Sequence, residues 1–296
     1  MDLSIIIVSW NVKELLSRLL DSIFQYTEGI SYEIIVIDND SRDGTIDFLK
    51  TQYREQISSQ QLKLIENKFN AGFAKANNQG LKIASGEFIA FMNPDMELLE
   101  NSFEKTMLAI KQSPNVGVVT ARLLYADKSL QPNLKSFPTL ASQILVLLKL
   151  HHFFFWLPVL RKYFLKNINY AEYNYVDQVM GAFIFTRKEI IEKIGGWDED
   201  YWLWWEDVEL CRRIKDLNYD ILYIPTTEII HYEGKSFEQT SGLRKQLRFN
   251  RGLLTYFEKH HSKFSVIILH IFLPISLFLS ILTKLFHIRP RPQSRV

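Results

Sequence analysis

Cysteine is almost absent from this chain. Cys211 is the only one in 296 residues, which excludes an intramolecular disulfide or a cysteine zinc cluster and fits a reducing compartment. A strong charge of one sign is missing too, since the formal net charge is +2, too small to call for a nucleic-acid partner. Basic residues matter here by location, because they gather late in the sequence. The N-terminus, Met1-Asp2-Leu3-Ser4, has no basic stretch before its first apolar run. No signal peptide is expected, and any catalytic part of the chain is expected in the cytosol. A basic, glycine-rich loop after the first apolar run, which a nucleotidyltransferase of this layout would need, is replaced by Ser9-Trp10-Asn11-Val12.

A hydrophobic content of 47% is enough for a sizeable core in one large domain or two small ones. Leu3 to Val8 is a β-branched apolar run of strand length, followed by Leu15, Leu16, Leu19, Leu20 and Ile23 at helical spacing. Tyr32 to Ile37 repeats the pattern and ends in Asp38-Asn39-Asp40-Ser41, with a helix beginning near Ile46. Leu62 to Ile65 forms a third strand, and Asn70 to Gly80 turns into a third helix. Phe88 to Met92 then stops on Asn93-Pro94-Asp95. Pro94 lacks a ladder donor and biases Asn93 toward extended backbone, so the strand should end there with Asp95 in a turn. Such a turn suits ordinary chain reversal as well as a ligand crevice at the strand ends. A helix over Phe103 to Gln112 and a strand over Val116 to Thr120 complete an alternating series, which predicts an α/β fold with a mostly parallel sheet and flanking helices.

The rhythm stops in an apolar insertion at 137–178, rich in Leu, Phe and His, with Arg161, Lys162 and Lys166 near its end. Beyond it, Val179 to Thr186 predicts a strand, Lys188 to Ile194 a helix closed by Gly195-Gly196, and Trp205 to Leu217 a helix opening on Glu206-Asp207. Ile221 to Ile224 predicts a strand ended by Pro225, with His231 beyond. Polar clusters thus fall at predicted element ends: Asp38 to Asp40, Asn93 to Asp95, Glu206-Asp207 and His231. Each has a plain structural use, as an Asx turn, a helix-start charge or a core histidine.

Taken in order, Ile5 to Asn11, Val36-Ile37-Asp38-Asn39 with Asp43-Gly44-Thr45, Asn70-x-Gly72-Phe73-Ala74, Asn93-Pro94-Asp95, Gly195-Gly196-Trp197-Asp198-Glu199 and Trp205-Glu206-Asp207-Val208-Glu209-Leu210 resemble the successive motifs of glycosyltransferase family 2, in its rhamnosyltransferase-like branch. The resemblance covers roughly residues 3 to 235 and implies a GT-A fold, Rossmann-like, acting as an inverting, metal-dependent transferase. It implies a donor side made by Ser9, Asn11, Asp38, Asn39, Asn70, Gly72, Asn93 and Asp95, with Asp38 accepting from the base of a nucleotide sugar. Asp95 and His231 would hold a divalent metal, Mg2+ or Mn2+, at the diphosphate. Asn93 stands where the commoner motif has Asp, as in the rhamnosyl branch. Asn77 stands where many relatives carry a basic residue. Asp207 is implied as the general base. Gly181, Ala182, Trp205 and Glu206 lie on the acceptor side, and Met180 stands where the family often has Ser. Trp202, Trp204 and Trp205 suit either a sugar wall or the core.

Phe264 to Thr283 contains no Asp, Glu, Lys or Arg. As a helix at about 1.5 Å per residue it would reach roughly 30 Å, the thickness of a bilayer core. Pro274 suits a kinked or re-entrant span and equally an interfacial helix. Lys259, His260, His261 and Lys263 precede it and Lys284, Arg289, Arg291 and Arg295 follow, so charge does not choose an orientation. Ile144 to Leu160, with Phe153-Phe154-Phe155-Trp156, is a second surface for a membrane or a lipid-linked acceptor. The expected organisation is a catalytic domain at 1–235 and a helical membrane-associating C-terminus at 236–296, on the cytoplasmic face of the plasma membrane. The expected reaction moves rhamnose from dTDP-rhamnose, or a related sugar, to a lipid-linked saccharide. A membrane-tethered nucleotide-sugar-binding protein without catalysis is the rival outside enzymes, and the pair Asp95 and Asp207 speaks against it.

Overall fold

The computed structural model describes residues 1–232 and 242–285. The expected boundary at 235, and Arg289, Arg291 and Arg295, lie outside the described residues. In the first half, β1 (Leu3–Ser9), α1 (Lys13–Tyr26), β2 (Tyr32–Asp38), α2 (Thr45–Gln52), α3 (Arg54–Ser58), β3 (Leu62–Glu66), α4 (Phe73–Ile83) and β4 (Phe88–Met92) alternate as the sequence predicts. Their strands pair in parallel in the order β3-β2-β1-β4. Every residue of β1 is buried, which is why it reads as largely apolar without alternation: helices cover both faces of the sheet. On α1 the buried Leu16, Leu19, Leu20 and Ile23 form the stripe that meets one face.

The second half adds β5 (Met96–Leu98), α5 (Ser102–Gln112), β6 (Val116–Leu124), β7 (Leu130–Gln131), β8 (Leu134–Lys135), α6 (Leu140–Leu147), a 3-10 turn at Leu150–His152, α7 (Pro158–Tyr163), β9 (Asn174–Val176), β10 (Gln178–Val179), β11 (Phe183–Arg187), α8 (Lys188–Lys193), α9 (Glu206–Asp216), β12 (Asp220–His231), α10 (Gly242–His260) and α11 (Lys263–Leu285). Here the sheet becomes mixed. β11 lies antiparallel between β4 and β6, and β12 runs parallel to β6 but antiparallel to β5 and β9.

Two predicted strands differ in a way that shapes the site. The run expected at 179–186 is split: β10 leaves the main sheet to pair with β8, and Met180-Gly181-Ala182 crosses to β11. The strand expected to end at Pro225 continues to His231, because the ladder between β12 and β6 shifts register between Ile224 and Glu228. A proline is tolerated at such an irregularity, and His231 therefore sits on a strand end rather than in a loop.

Trp197 anchors the second core layer, edge-on to Phe73 and Phe91 with centroids 5.3 and 5.1 Å away. Cys211 is buried there, and burial pushes its thiol up to about 12, so it has no nucleophilic use. A third cluster joins the insertion to the C-terminal helices through Leu147, Tyr201, Trp205, Leu253, Tyr256 and Leu269. On α11 one face is thus held by α10 and α6. Phe264, Ile267, Ile271, Ile275, Phe278 and Ile281 are exposed on the other, three or four residues apart.

Candidate active site

Parallel register brings Ser9 beside Asp38 and Asp38 beside Glu66 at the ends of β1, β2 and β3. Asp38 accepts from the Ser41 amide at 2.9 Å through Oδ2, while its buried Oδ1 has no partner. Burial raises its carboxyl against the Ser41 hydrogen bonds. An orphaned buried acceptor is the group that a base N–H would satisfy. The Ser9 hydroxyl is also buried and unsatisfied.

The other donor-side residues act by tying loops together. Asn11, at a left-handed φ of 51°, accepts from the Arg42 amide at 2.6 Å. Asn39 donates to the Gly72 carbonyl at 3.2 Å and accepts from Asn67 at 2.8 Å. Asn70 accepts from the Gly72 amide at 3.0 Å, a local Asx turn. Gly72 has φ of 88°, and a Cβ there would fall 2.8 Å from Trp202. Only glycine fits both demands. The Phe73 amide donates to the Trp202 carbonyl at 2.9 Å, so the glycine lets the two loops meet.

Beyond β4, the Asn93 amide donates to the Ala182 carbonyl and the Tyr232 amide to the Asp95 carbonyl, each at 2.9 Å. Asp95 Oδ1 lies 3.4 Å from His231 Nε2, and Asn93 Nδ2 lies 3.5 Å from the same nitrogen. His231 Nδ1 meets Gln131 Oε1 at 2.9 Å. An amide oxygen only accepts, so Nδ1 donates that bond and Nε2 is the nitrogen that faces Asp95. A carboxylate and an imidazole nitrogen this close fit one divalent cation. No cluster of three or more His, Cys, Asp or Glu suited to a metal occurs among the described residues. Diphosphate oxygens and water would have to fill the remaining positions, as they do for Mg2+.

Asp207 stands in the first turn of α9, half-buried, where the helix dipole favours a carboxylate. Its Oδ2 accepts from the Gly181 amide at 3.0 Å and its Oδ1 from the Val208 amide at 2.8 Å. Burial raises its pKa, opposed by those bonds and by the charge of Lys135. A Cβ at Gly181 would approach Asp207 Cβ to 3.1 Å, so this close approach of backbone to carboxylate favours glycine. Gly181 and Ala182 are thereby placed between Asp207 and Asn93, each bonded to one of them.

Two acceptor-side expectations are corrected. Trp205 is only 4% exposed and packs against Phe249 and Tyr256 with centroids 5.4 and 5.6 Å away; it is core, because its left-handed φ of 73° accompanies a ring turned under α10. Glu206 is also buried, and burial beside Asp207 raises its pKa well above the ordinary value. Its environment is that of a neutral acid rather than an exposed hydrogen-bonding arm. Trp202, by contrast, does line the cleft, with Trp10, Asn70, Asp95, Leu203 and Arg248. Sequence reasoning missed Trp10 and Arg248. Arg248 reaches in from α10 with its guanidinium 3.8 Å from the Trp202 ring centroid. The available signal was a basic helix following the last strand, read above only as a membrane feature.

The sheet order is that of a GT-A fold. GalNAc-T7 with UDP, GalNAc and Mn2+ superposes with a TM-score of 0.62 at 16% identity, over 87% of this chain and 48% of that one. The mannosyltransferase PcManGT of Pyrobaculum calidifontis, in complex with GDP-Man and Mn2+, gives 0.58 at 17% identity over 98% and 76%. The chain belongs to glycosyl transferase family 2, whose model matches residues 4–195. Among its relatives, the O-antigen biosynthesis protein RfbC of Myxococcus xanthus is 27% identical over 79% of this chain. The N-acetylglucosaminyl-diphospho-decaprenol L-rhamnosyltransferase of Mycobacterium tuberculosis is 24% identical over 79% of this chain and 77% of its own length. The chain spans only 17% of RfbC and 26% of an uncharacterised Sinorhizobium fredii relative.

Proposed function

We propose that the protein transfers a sugar, rhamnose from dTDP-rhamnose or a close analogue, from a nucleoside diphosphate to a hydroxyl of a lipid-linked saccharide, with inversion. The observation that carries the reading is the Gly181-Ala182 step, which ties the proposed base Asp207 to the Asn93–Asp95 turn of the donor cleft. The nucleotide base would bond the free Oδ1 of Asp38, and its diphosphate would lie between Asp95 and Arg248, whose guanidinium suits phosphate oxygens. A divalent metal held by Asp95 and His231 would neutralise charge on the leaving diphosphate. Asp207 would take the acceptor hydroxyl proton as that oxygen attacks the anomeric carbon from the side opposite the diphosphate. A carboxyl raised by burial accepts a proton more readily than an ordinary aspartate does.

The lipid-linked acceptor draws support from the Mycobacterium relative's decaprenol-linked substrate and from the exposed apolar face of α11. A helix whose other face is held by α10 and α6 suits lying along the cytoplasmic membrane surface better than crossing it. The test is a panel of nucleotide sugars with membrane extract as acceptor source, following nucleoside diphosphate release. Rhamnose-dependent release into the lipid fraction is expected; release only to water would overturn the reading.

A further inference from the structure

Between Asp127 and Glu172 the chain has no acidic residue, yet it carries Lys128, Lys135, Lys149, His151, His152, Arg161, Lys162 and Lys166. Part of this charge is gathered beside Asp207. On the β8–β10 ribbon Lys135 lies opposite Gln178, and the Met180 amide bonds the Asn133 carbonyl at 2.9 Å. Lys135 is thus carried on the ribbon that leads into Met180 and Gly181, and its charge acts on Asp207. Its Nζ is 6.0 and 5.9 Å from the ring centroids of Tyr163 and Phe164. His151, 1% exposed, has its ring centroid 6.2 Å from that of Phe164. The Lys149 amine is partly buried and donates to Gln246 at 2.8 Å. Neither Lys135 nor Lys149 pairs with a carboxylate among the described residues.

Cations withdrawn from water and set beside one another repel unless an anion joins them. Consistent with this, burial pushes His151 down to about 4, assisted by the charges of His152, Lys149 and Lys135. The donor diphosphate has its own partners in Asp95 and Arg248, across the cleft. The anion missing here is therefore on the acceptor side. Immediately after His152, Phe153, Phe154, Phe155 and Trp156 are exposed, as a segment in contact with an apolar tail would be.

We infer that Lys135 and Lys149, with the buried His151, whose two ring nitrogens have no hydrogen-bond partner, form a subsite for the diphosphate of a polyprenyl-linked acceptor, whose tail passes over Phe153–Trp156. This rests on the proposed function, and it places the acceptor's charge close to the hydroxyl that Asp207 would deprotonate.

The probe is farnesyl diphosphate, titrated against the full chain in a chelator so that a metal-dependent donor site stays out of the measurement. Wild type should bind it, and Lys135→Met or Lys149→Met should weaken binding by roughly tenfold to a hundredfold, the effect of losing one charge-assisted contact. Lys135→Arg should retain binding, and so should Arg248→Ala, which removes a cation from the proposed donor cleft. Farnesol and inorganic pyrophosphate should each bind more weakly than the intact probe. Unchanged binding in both lysine variants, loss in Arg248→Ala alone, or equal binding of farnesol would overturn the subsite. A lysine effect confined to phosphatidylglycerol vesicles would assign the charge to bulk headgroups and overturn it as well. Diphosphate binding intact in a protein that transfers sugar to no lipid-linked acceptor would support the subsite and refute the functional reading instead.

Discussion

The Gly181 amide donates to Oδ2 of Asp207 across 3.0 Å, and the next residue's carbonyl receives the Asn93 amide at 2.9 Å. Asp207 and the Asn93–Asp95 turn are therefore set by adjoining peptide groups at the break between β10 and β11, and a displacement of one is felt by the other.

Asp207→Asn keeps an acceptor oxygen for the Gly181 amide and caps a helix start as well as aspartate does. Transfer is expected to fall by about a hundredfold or more, the loss of a positioned general base, with donor affinity and thermal midpoint kept. All three are measured on one preparation. Wild-type transfer in that variant would remove Asp207 from the mechanism.

Gly181→Ala puts a methyl 3.1 Å from Asp207 Cβ. The carboxylate must shift by a few tenths of an ångström, and kcat should drop by roughly tenfold while donor KM holds. Equal kcat would mean that the position of the carboxylate is not limiting.

Stability and activity should respond to pH in opposite directions. Asp207 and Glu206 have raised pKa values in the folded protein, so unfolding releases protons once pH exceeds the ordinary carboxylate range. Their contribution is present below that range and is lost as pH rises through the raised values. Glu33, held down to about 2 by Lys63, Ser4 and Ser85 against the effect of burial, contributes in the other sense, above 4.5 and lost toward 2. Activity needs Asp207 ionised and falls as pH falls through its raised pKa. Thermal midpoints of Glu206→Gln should show a flatter decline with rising pH than wild type; an identical decline would exclude Glu206 as its source.

Chelation should abolish turnover, and Asp95→Ala should reduce it by about a hundredfold with little recovery in excess Mn2+. Full turnover of Asp95→Ala in a chelator would show that no divalent cation acts there.

On α11 the two faces should separate experimentally. Ile271→Lys and Phe278→Lys lie on the exposed face and should shift protein from the membrane fraction to the supernatant without moving the thermal midpoint. Leu269→Lys, at a fully buried position, should destabilise the fold by several kcal/mol. Undiminished membrane binding in the exposed-face pair would reassign the anchor.

Much of this was legible in the residues. Strands β1, β2 and β4 are largely buried runs ended by polar residues, and β-branched composition with helical spacing between them specifies a parallel half-sheet. Direction in the second half was not legible, because Phe183–Arg187 is too short for its pattern to show which way it runs between β4 and β6. Asp38, Asp95 and Asp207 lie at or just beyond strand and helix ends, where the sequence puts them, because such ends concentrate polar residues. Trp205 was misplaced because a row of aromatics looks the same whether it faces a sugar or a core. Arg248 was missed because its helix, far along the chain, reaches the cleft only through tertiary packing.

The loop contact between Gly72 and Trp202 has a consequence during synthesis. The Val8, Trp10 and Asn39 side of the cleft can form once β1 and β2 are paired, but its other wall, Trp202 and Arg248, is the last of the lining to be synthesised. At about 5–20 residues per second, many seconds separate the two. Any ligand of this cleft can thus stabilise the finished chain but not a nascent one, and a chain released before α10 would lack that stabilisation.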